Sequence, residues 1–349
     1  MELIDLLRNA KEKGSSDVFI IPGSPVQAKV QGSLTPLTRE KVMPAETERF
    51  IRQAYELAGR SMDCLQLGDD DFSFSCKELC RFRCNAYRQR GTLAATFRMV
   101  AFGLPDPKEI HIPDLVMDLA RLRSGMVLVT GTAGSGKSTT LACLVDAING
   151  ERDGHIVTIE DPIEYLHPHR KSLVSQREVP NDAPTFARAL RSALRQVPDV
   201  IMLGEMRDTE TVQTAITAAE TGHLLLSSLH TVGAAKTIDR VVDSFPAEQQ
   251  QQIRVQLAMV LKAVVSQRLL PTLQGGQIPV FEVMRVNPAL QNLIRDNRTH
   301  QIDNAIYSGS GQDMLSMDGE LQRLYREKII SRETALMYAI NPDALSRRI

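Results

Sequence analysis

The sequence contains no tryptophan, and aromatic residues make up only 5% of it, so platforms on which nucleic-acid bases could stack are scarce. An excess of one charge is lacking as well. The 41 Lys and Arg residues face 42 Asp and Glu, a formal net charge of -1, which gives no support to wholesale nucleic-acid binding. No apolar run approaches the ~20 residues that cross a bilayer. The opening Met1-Glu2-Leu3-Ile4-Asp5 has none of the features of a signal peptide. The expectation is a soluble, cytoplasmic protein. The 5 cysteines are few and odd in number, which suits a reducing compartment. Cys76, Cys80 and Cys84 recur every four residues, but three thiols without a fourth ligand make a poor zinc site, so they read as small core residues. At 349 residues the chain exceeds one ordinary core, and two or more domains are expected.

What is present is concentrated in residues 125–148. Met126-Val127-Leu128-Val129-Thr130 is a short apolar run that reads as a buried strand. Gly131-Thr132-Ala133-Gly134-Ser135-Gly136-Lys137-Ser138 follows at once, and Leu141, Leu144, Val145 and Ile148 then recur at helical spacing. A strand, a G-x-x-x-x-G-K-S loop and a helix together form the context of a P-loop. Glycines let the backbone approach phosphate oxygens without a Cβ in the way, and the helix N-terminus adds partial positive charge. Lys137 can reach the β- and γ-phosphates, and the Ser138 hydroxyl can hold Mg²⁺.

Before this stretch, residues 2–13 read as an amphipathic helix, 18–21 and 27–30 as strands, and Pro44–Ala58 as a second helix. Residues 72–74, 81–87 and 93–99 read as three antiparallel strands. The first ~100 residues therefore form a small α+β domain. Residues 101–114, with Pro105, Pro107 and Pro113, read as a linker, and 115–122 as a short helix leading into the P-loop strand at the start of a second domain, 115–349. After the P-loop, strands and helices alternate as a parallel sheet with crossover helices requires. Three strands end in polar residues: 155–159 runs into Glu160, Asp161 and Glu164; 200–204 into Glu205; and 224–229 into His230 and Thr231. In open α/β sheets ligands bind at the carboxyl ends of strands, so these ends converge on the phosphate edge. A helix is expected over 249–266, a strand over 279–284, and helices over Pro288–Arg295, 321–327 and 332–339.

Hydrolysis of ATP needs an oriented water, a metal and positive charge for the transition state. Glu160, Asp161, Glu164 and Glu205 are candidates for the first two. His223 and His230 bracket one apolar strand, and His230 is placed to sense a γ-phosphate. Arg83, Arg88, Arg90 and Arg98 lie in the small domain, where they are either a solvated face or arginine fingers for a neighbouring subunit's nucleotide. Arg188, Arg191 and Arg195 read as surface charges.

Glu160-Asp161-Pro162-Ile163-Glu164 resembles the Asp box of secretion ATPases. Gly204-Glu205-Met206-Arg207-Asp208 resembles their atypical Walker B motif, and residues 221–231 their His box. Within that superfamily the chain is similar to the type IV pilus retraction ATPases of twitching motility. Residues 289–296 with 299–302 resemble the C-terminal motif of retraction motors, and residues 81–91 with Phe97 and Arg98 their N-terminal signature. The resemblance spans nearly the whole chain. Thr132-Ala133 stands where the family usually has Pro-Thr, and Leu290, Gln291 and Asp296 depart from the C-terminal motif. Residues 268–283 contain no cysteine, unlike the zinc module of assembly motors, which favours retraction.

The resemblance implies an α/β fold, with a PAS-like N-terminal domain, a RecA-like P-loop NTPase domain and C-terminal helices. It implies a homohexameric ring at the inner face of the cytoplasmic membrane, using ATP and Mg²⁺. Residues Gly131 to Thr139, His223 and Arg207 would contact nucleotide, and Ser138 and Glu205 the metal. Glu164 is the best candidate for water activation, with its division of labour against Glu160 open; Arg83 and Arg98 would be the inter-subunit fingers. Partners would be an inner-membrane platform protein and a paralogous retraction ATPase, with no nucleic acid. An accessory subunit of such a machine, another secretion-type ATPase and a regulatory ATP-binding adaptor stay open as alternatives.

Overall fold

The computed structural model describes residues 2–30, 32–76, 79–100, 103–311 and 313–349. Its contacts divide the chain into two compact units. One holds residues 1–103 with 164–166, and the other 104–163 with 167–349.

The first unit is a six-stranded sheet. Its strands are β1 (Ser15–Ile20), β2 (Gln27–Val30), β3 (Ser33–Pro36), β4 (Asp69–Ser75), β5 (Arg81–Gln89) and β6 (Thr92–Val100), in the order β3-β2-β1-β6-β5-β4. Every pairing is antiparallel. Alternation decides its faces: Phe82, Cys84 and Ala86 of β5 and Ala95 and Phe97 of β6 are buried, while Arg83, Asn85, Thr96 and Arg98 lie on the other side. The helix Leu3–Glu12 contributes Leu3, Leu6, Leu7 and Ala10 to this core, and Pro44–Ala58 contributes Phe50, Ile51, Ala54 and Tyr55. Pro44 starts the second helix, and Gly59 closes it in the left-handed region, φ 62°. Cys76, Cys80 and Cys84 are packed in the same core. This is the PAS-like α+β arrangement, with the short β3 as an addition to the strands read from the sequence.

The second unit is a RecA-like α/β fold around a seven-stranded sheet. It contains β7 (Gly125–Thr130), β8 (His155–Glu160), β9 (Leu173–Glu178), β10 (Val200–Leu203), β11 (Leu224–Leu229), β12 (Leu261–Pro271) and β13 (Gln277–Arg285). The order is β13-β12-β7-β11-β10-β8-β9, all parallel except β13. Alternate residues of β7 enter different cores, Met126 and Leu128 on one face and Val127 and Val129 on the other. Both faces are covered, which is why this strand is apolar throughout. The helices Met317–Arg326, Arg332–Tyr338 and Pro342–Ser346 pack on the distal part of β12 and β13 through Leu270, Ile278 and Val280.

Two expectations change here. The helix expected over 249–266 is the helix Ala247–Val260 followed without a break by β12. Val264 and Val265, which fit a helical period, instead pair with Leu128 and Val129 of β7. The stretch 101–114 was expected to be a linker. Residues 101–102 lie outside the described residues, but Ile112 is buried in the second unit, with Leu104 and Ile110 packed against the same cluster. Among the described residues, no helix is long and apolar enough to cross a membrane.

Candidate active site

From Thr130, at the end of β7, the chain turns through residues 131–136 into the helix Lys137–Glu151. Strand β12 passes against this turn and leaves room only for glycine at two of its positions. A Cβ on residue 131, where φ is 148°, would lie 2.2 Å from the Gln267 carbonyl oxygen; one on residue 136, where φ is 90°, would lie 2.8 Å from Gln267 Nε2. Gln267 is itself held, its Oε1 accepting a 2.7 Å bond from the Thr140 hydroxyl. Lys137 is buried, and its ammonium donates to the carbonyl oxygens of Gly131 (3.0 Å) and Thr132 (2.9 Å). The buried Ser135 hydroxyl has no hydrogen-bond partner among the described residues. Thr132, Ala133, Gly134 and Ser138 are exposed, and Thr139 is half-buried. A buried ammonium, an unpartnered hydroxyl and a helix N-terminus thus meet in one loop, the donor set a polyphosphate needs.

The neighbouring strand ends lie at the same edge of the sheet, because the parallel register aligns Thr130 with Leu229, Leu203 with Ser227 and Ile159, and Glu160 with Glu178. Glu160 ends β8, buried, with Oε1 accepting from the Thr158 hydroxyl (2.6 Å) and from Gln176 Nε2 (3.2 Å). Glu205 follows β10. Its Oε1 is 2.5 Å from Arg207 Nη2 and its Oε2 3.3 Å from His230 Nε2, while Arg207 also reaches Asp161 at 3.4 Å. Burial pushes the Glu205 carboxyl up, but Arg207 and His230 together outweigh it and hold it below its ordinary value. The same contact with Glu205 raises Arg207 further. Four of the residues singled out in the sequence, Asp161, Glu205, Arg207 and His230, therefore form one charged cluster at the strand ends.

His223 does not join them. It precedes β11 at the opposite edge, a strand's length of roughly 20 Å from His230. Its Nδ1 is bonded within its own turn, to the Ala218 carbonyl and the Thr221 hydroxyl. Glu164 is exposed and belongs with the first unit, as do Arg83 and Arg98. Three residues missed in the sequence adjoin the site. Gln176 braces Glu160. Glu178, buried at the end of β9, accepts from the Ile163 N–H (3.0 Å) and Asn181 (2.7 Å). Gln267 underlies the P-loop. Leu173–Glu178 mixes apolar and charged positions without a regular alternation, so the sequence carries no clear signal for β9.

A sequence model of the type II/IV secretion system protein family matches residues 111–336. This chain belongs to that family. Relatives within it extend beyond the matched segment. The type IV pilus retractation ATPase PilT of Pseudomonas aeruginosa is 41% identical over 345 residues, covering 98% of this chain and 99% of its own. The type IV pilus ATPase PilU of the same organism is 38% identical, covering 99% of this chain and 90% of its own. Among solved structures, the pilus retraction motor PilT with bound ADP superimposes with a TM-score of 0.91 at 40% identity, covering 99% of both chains. The Legionella pneumophila ATPase DotB superimposes with a TM-score of 0.84 at 27% identity, covering 97% of this chain and 95% of its own. The secretion-family fold thus covers both units of this chain.

Proposed function

We propose that this chain is a Mg²⁺-dependent ATPase that assembles as a homohexamer and powers retraction of a type IV pilus. The observation that carries this reading is the end-to-end similarity, 41% over 98% of the chain, to a protein named for that work. The P-loop and the strand-end cluster supply the chemistry. Residues 131–139 cradle the phosphates, and Lys137 exchanges its two carbonyl partners for phosphate oxygens. No three His, Cys, Asp or Glu side chains gather into a metal cage among the described residues. Mg²⁺ asks for less, one or two protein oxygens beside nucleotide phosphates and water. Ser138 and Glu205 fit that need, and the metal, when bound, neutralises charge on the phosphates. Glu164 activates the water, because Glu160 is already committed to the Thr158 and Gln176 donors. His230 reads the γ-phosphate through Glu205, and Arg207 contacts the nucleotide. Arg83 and Arg98 reach the nucleotide of a neighbouring subunit. Motion around the ring passes to a membrane platform protein at the inner face of the cytoplasmic membrane.

A second reading, an accessory ring subunit that leans on a paralogous motor, is favoured by the 38% identity to PilU. ATP turnover per subunit, measured against protein concentration with Lys137→Ala as the blank, separates the two. A motor gives specific activity that rises steeply as the ring assembles, followed by mass at the same dilutions, and Arg83→Ala removes the rise. No turnover at any concentration overturns the motor reading and leaves the accessory one.

A further inference from the structure

The exposed face of the first unit's sheet carries a charge arrangement that the motor reading does not explain. Arg83 of β5 and Arg98 of β6 are directly opposed across the antiparallel pair, and like charges in that position repel. Asp17 of β1 is opposed to Arg98 on its other side. Its Oδ1 lies 2.9 Å from Arg98 Nε, and its Oδ2 accepts from the Ser16 hydroxyl. Asp71 of β4 stands 3.8 Å from Arg83 Nε. With Asn85 and Thr96 these four side chains line a hollow of ≈ 270 Å³.

Two details give the arrangement a direction. Asp17 is 7% exposed, whereas the Arg98 side chain is 69% exposed, so a buried carboxylate holds the base of a guanidinium that projects outward. Asp17 takes the Nε of Arg98 and Asp71 stands nearest the Nε of Arg83, which leaves the paired Nη groups to a second anion. Removing Arg98 from Asp17 would strand a largely buried carboxylate, so the pair does not open readily to release the arginine.

We infer that Asp17 is a positioning residue: it fixes Arg98 with its Nη face turned outward, toward phosphate oxygens on a second copy of this chain. Asp71 does the same, more loosely, for Arg83. This rests on the reading of Arg98 as a finger acting between subunits. The geometry adds that the finger is anchored before the neighbour arrives, so that little side-chain freedom is lost when it engages.

Complementation in mixed rings tests this. A Lys137→Ala subunit cannot turn over its own nucleotide but can lend Arg98; an Arg98→Ala subunit keeps its P-loop but lends nothing. Mixed, they should regain ATPase activity at interfaces where the first faces the second. Adding Asp17→Asn to the Lys137→Ala donor should cut the regained rate on the order of tenfold or more, with the KM for ATP unchanged. Adding it to the Arg98→Ala recipient should not, because no arginine remains there to orient. Asp17→Glu in the donor, which keeps the charge, should restore part of the rate. Ring mass and cooperative unfolding of each Asp17→Asn protein check assembly. A donor carrying Asp17→Asn that restores the full rate overturns the role of Asp17 while leaving the finger. An Arg98→Ala protein with full activity alone, or a mixture that regains nothing, overturns the finger reading and the Asp17 role with it.

Discussion

His230 Nε2 lies 3.3 Å from Glu205 Oε2, so the ends of β10 and β11 are joined by a contact between an imidazole and a carboxylate held below its ordinary value. Arg207 occupies the other oxygen of the same carboxylate. For an acid whose folded value is depressed, the linked stability is present above the ordinary value of 4.5 and is lost as pH falls through the lower folded one. Arg207→Gln should bring Glu205 back up and move the acid limb of thermal unfolding to higher pH. Melting curves between pH 3 and 6 check this; an unmoved limb would mean that His230 alone sets the carboxylate.

Lys137→Ala and Glu164→Gln should separate binding from turnover. The first removes the buried ammonium at the P-loop and should weaken binding of a fluorescent nucleotide by at least tenfold. The second should leave that binding within about twofold and lower steady-state hydrolysis on the order of a hundredfold, the scale of a lost general base. Wild-type turnover in Glu164→Gln would transfer the role to Glu160.

Glu282, on β13, is buried against the start of the helix Ala234–Asp243 and accepts the Ala234 N–H at 3.0 Å. Burial raises its carboxyl from 4.5 to about 7; the Ala234 and Met317 N–H groups oppose this, and Asp303 and Asp318 add to it. A raised acid holds more protons folded than unfolded, so stability should fall as pH climbs from 4.5 to about 7. Glu282→Gln imitates the protonated form. Its melting temperature should decline several degrees less than that of the parent over this interval. Parallel curves for the two proteins would count against a buried titration here.

Gln267→Leu should be felt at the P-loop. It leaves the fully buried Thr140 hydroxyl without its acceptor, a loss of about 1–3 kcal/mol, and frees the floor under Gly136. The expected result is a lower melting temperature together with a raised KM for ATP. A lower melting temperature with unchanged KM would restrict Gln267 to stability.

Much of the fold was written in local chemistry. The P-loop strand and helix, the helix Pro44–Ala58 with its terminal Gly59, and the polar ends of β8, β10 and β11 each announce themselves within a few residues. Strands β3 and β9 do not, because Ser33–Pro36 is four mostly exposed residues and Leu173–Glu178 mixes apolar and charged positions. Strand β12 was hidden differently. Leu257, Val260, Leu261 and Val264 fit a helical period, and only pairing with β7 and β13 makes the last two strand residues. The same limit applies to the candidate site. Arg83 and Arg98 can be singled out from their motif, but Asp17 is 81 residues from Arg98 along the chain and becomes its partner only through register. His223 and His230 look equivalent in the sequence, since each flanks the same strand; strand direction puts them at its opposite ends, a strand's length apart.

Gln267 touches the P-loop from one side of β12, while the next residue, Arg268, points the other way, donating to the Tyr338 carbonyl at 2.6 Å with its guanidinium over the Tyr338 ring. A strand is stiff along its length and cannot yield at one residue without carrying its neighbour. The floor of the phosphate loop and the last helices of the chain are therefore fastened to opposite sides of a single beam, and any ratcheting of that beam during turnover would be delivered to the C-terminal surface without a hinge between them.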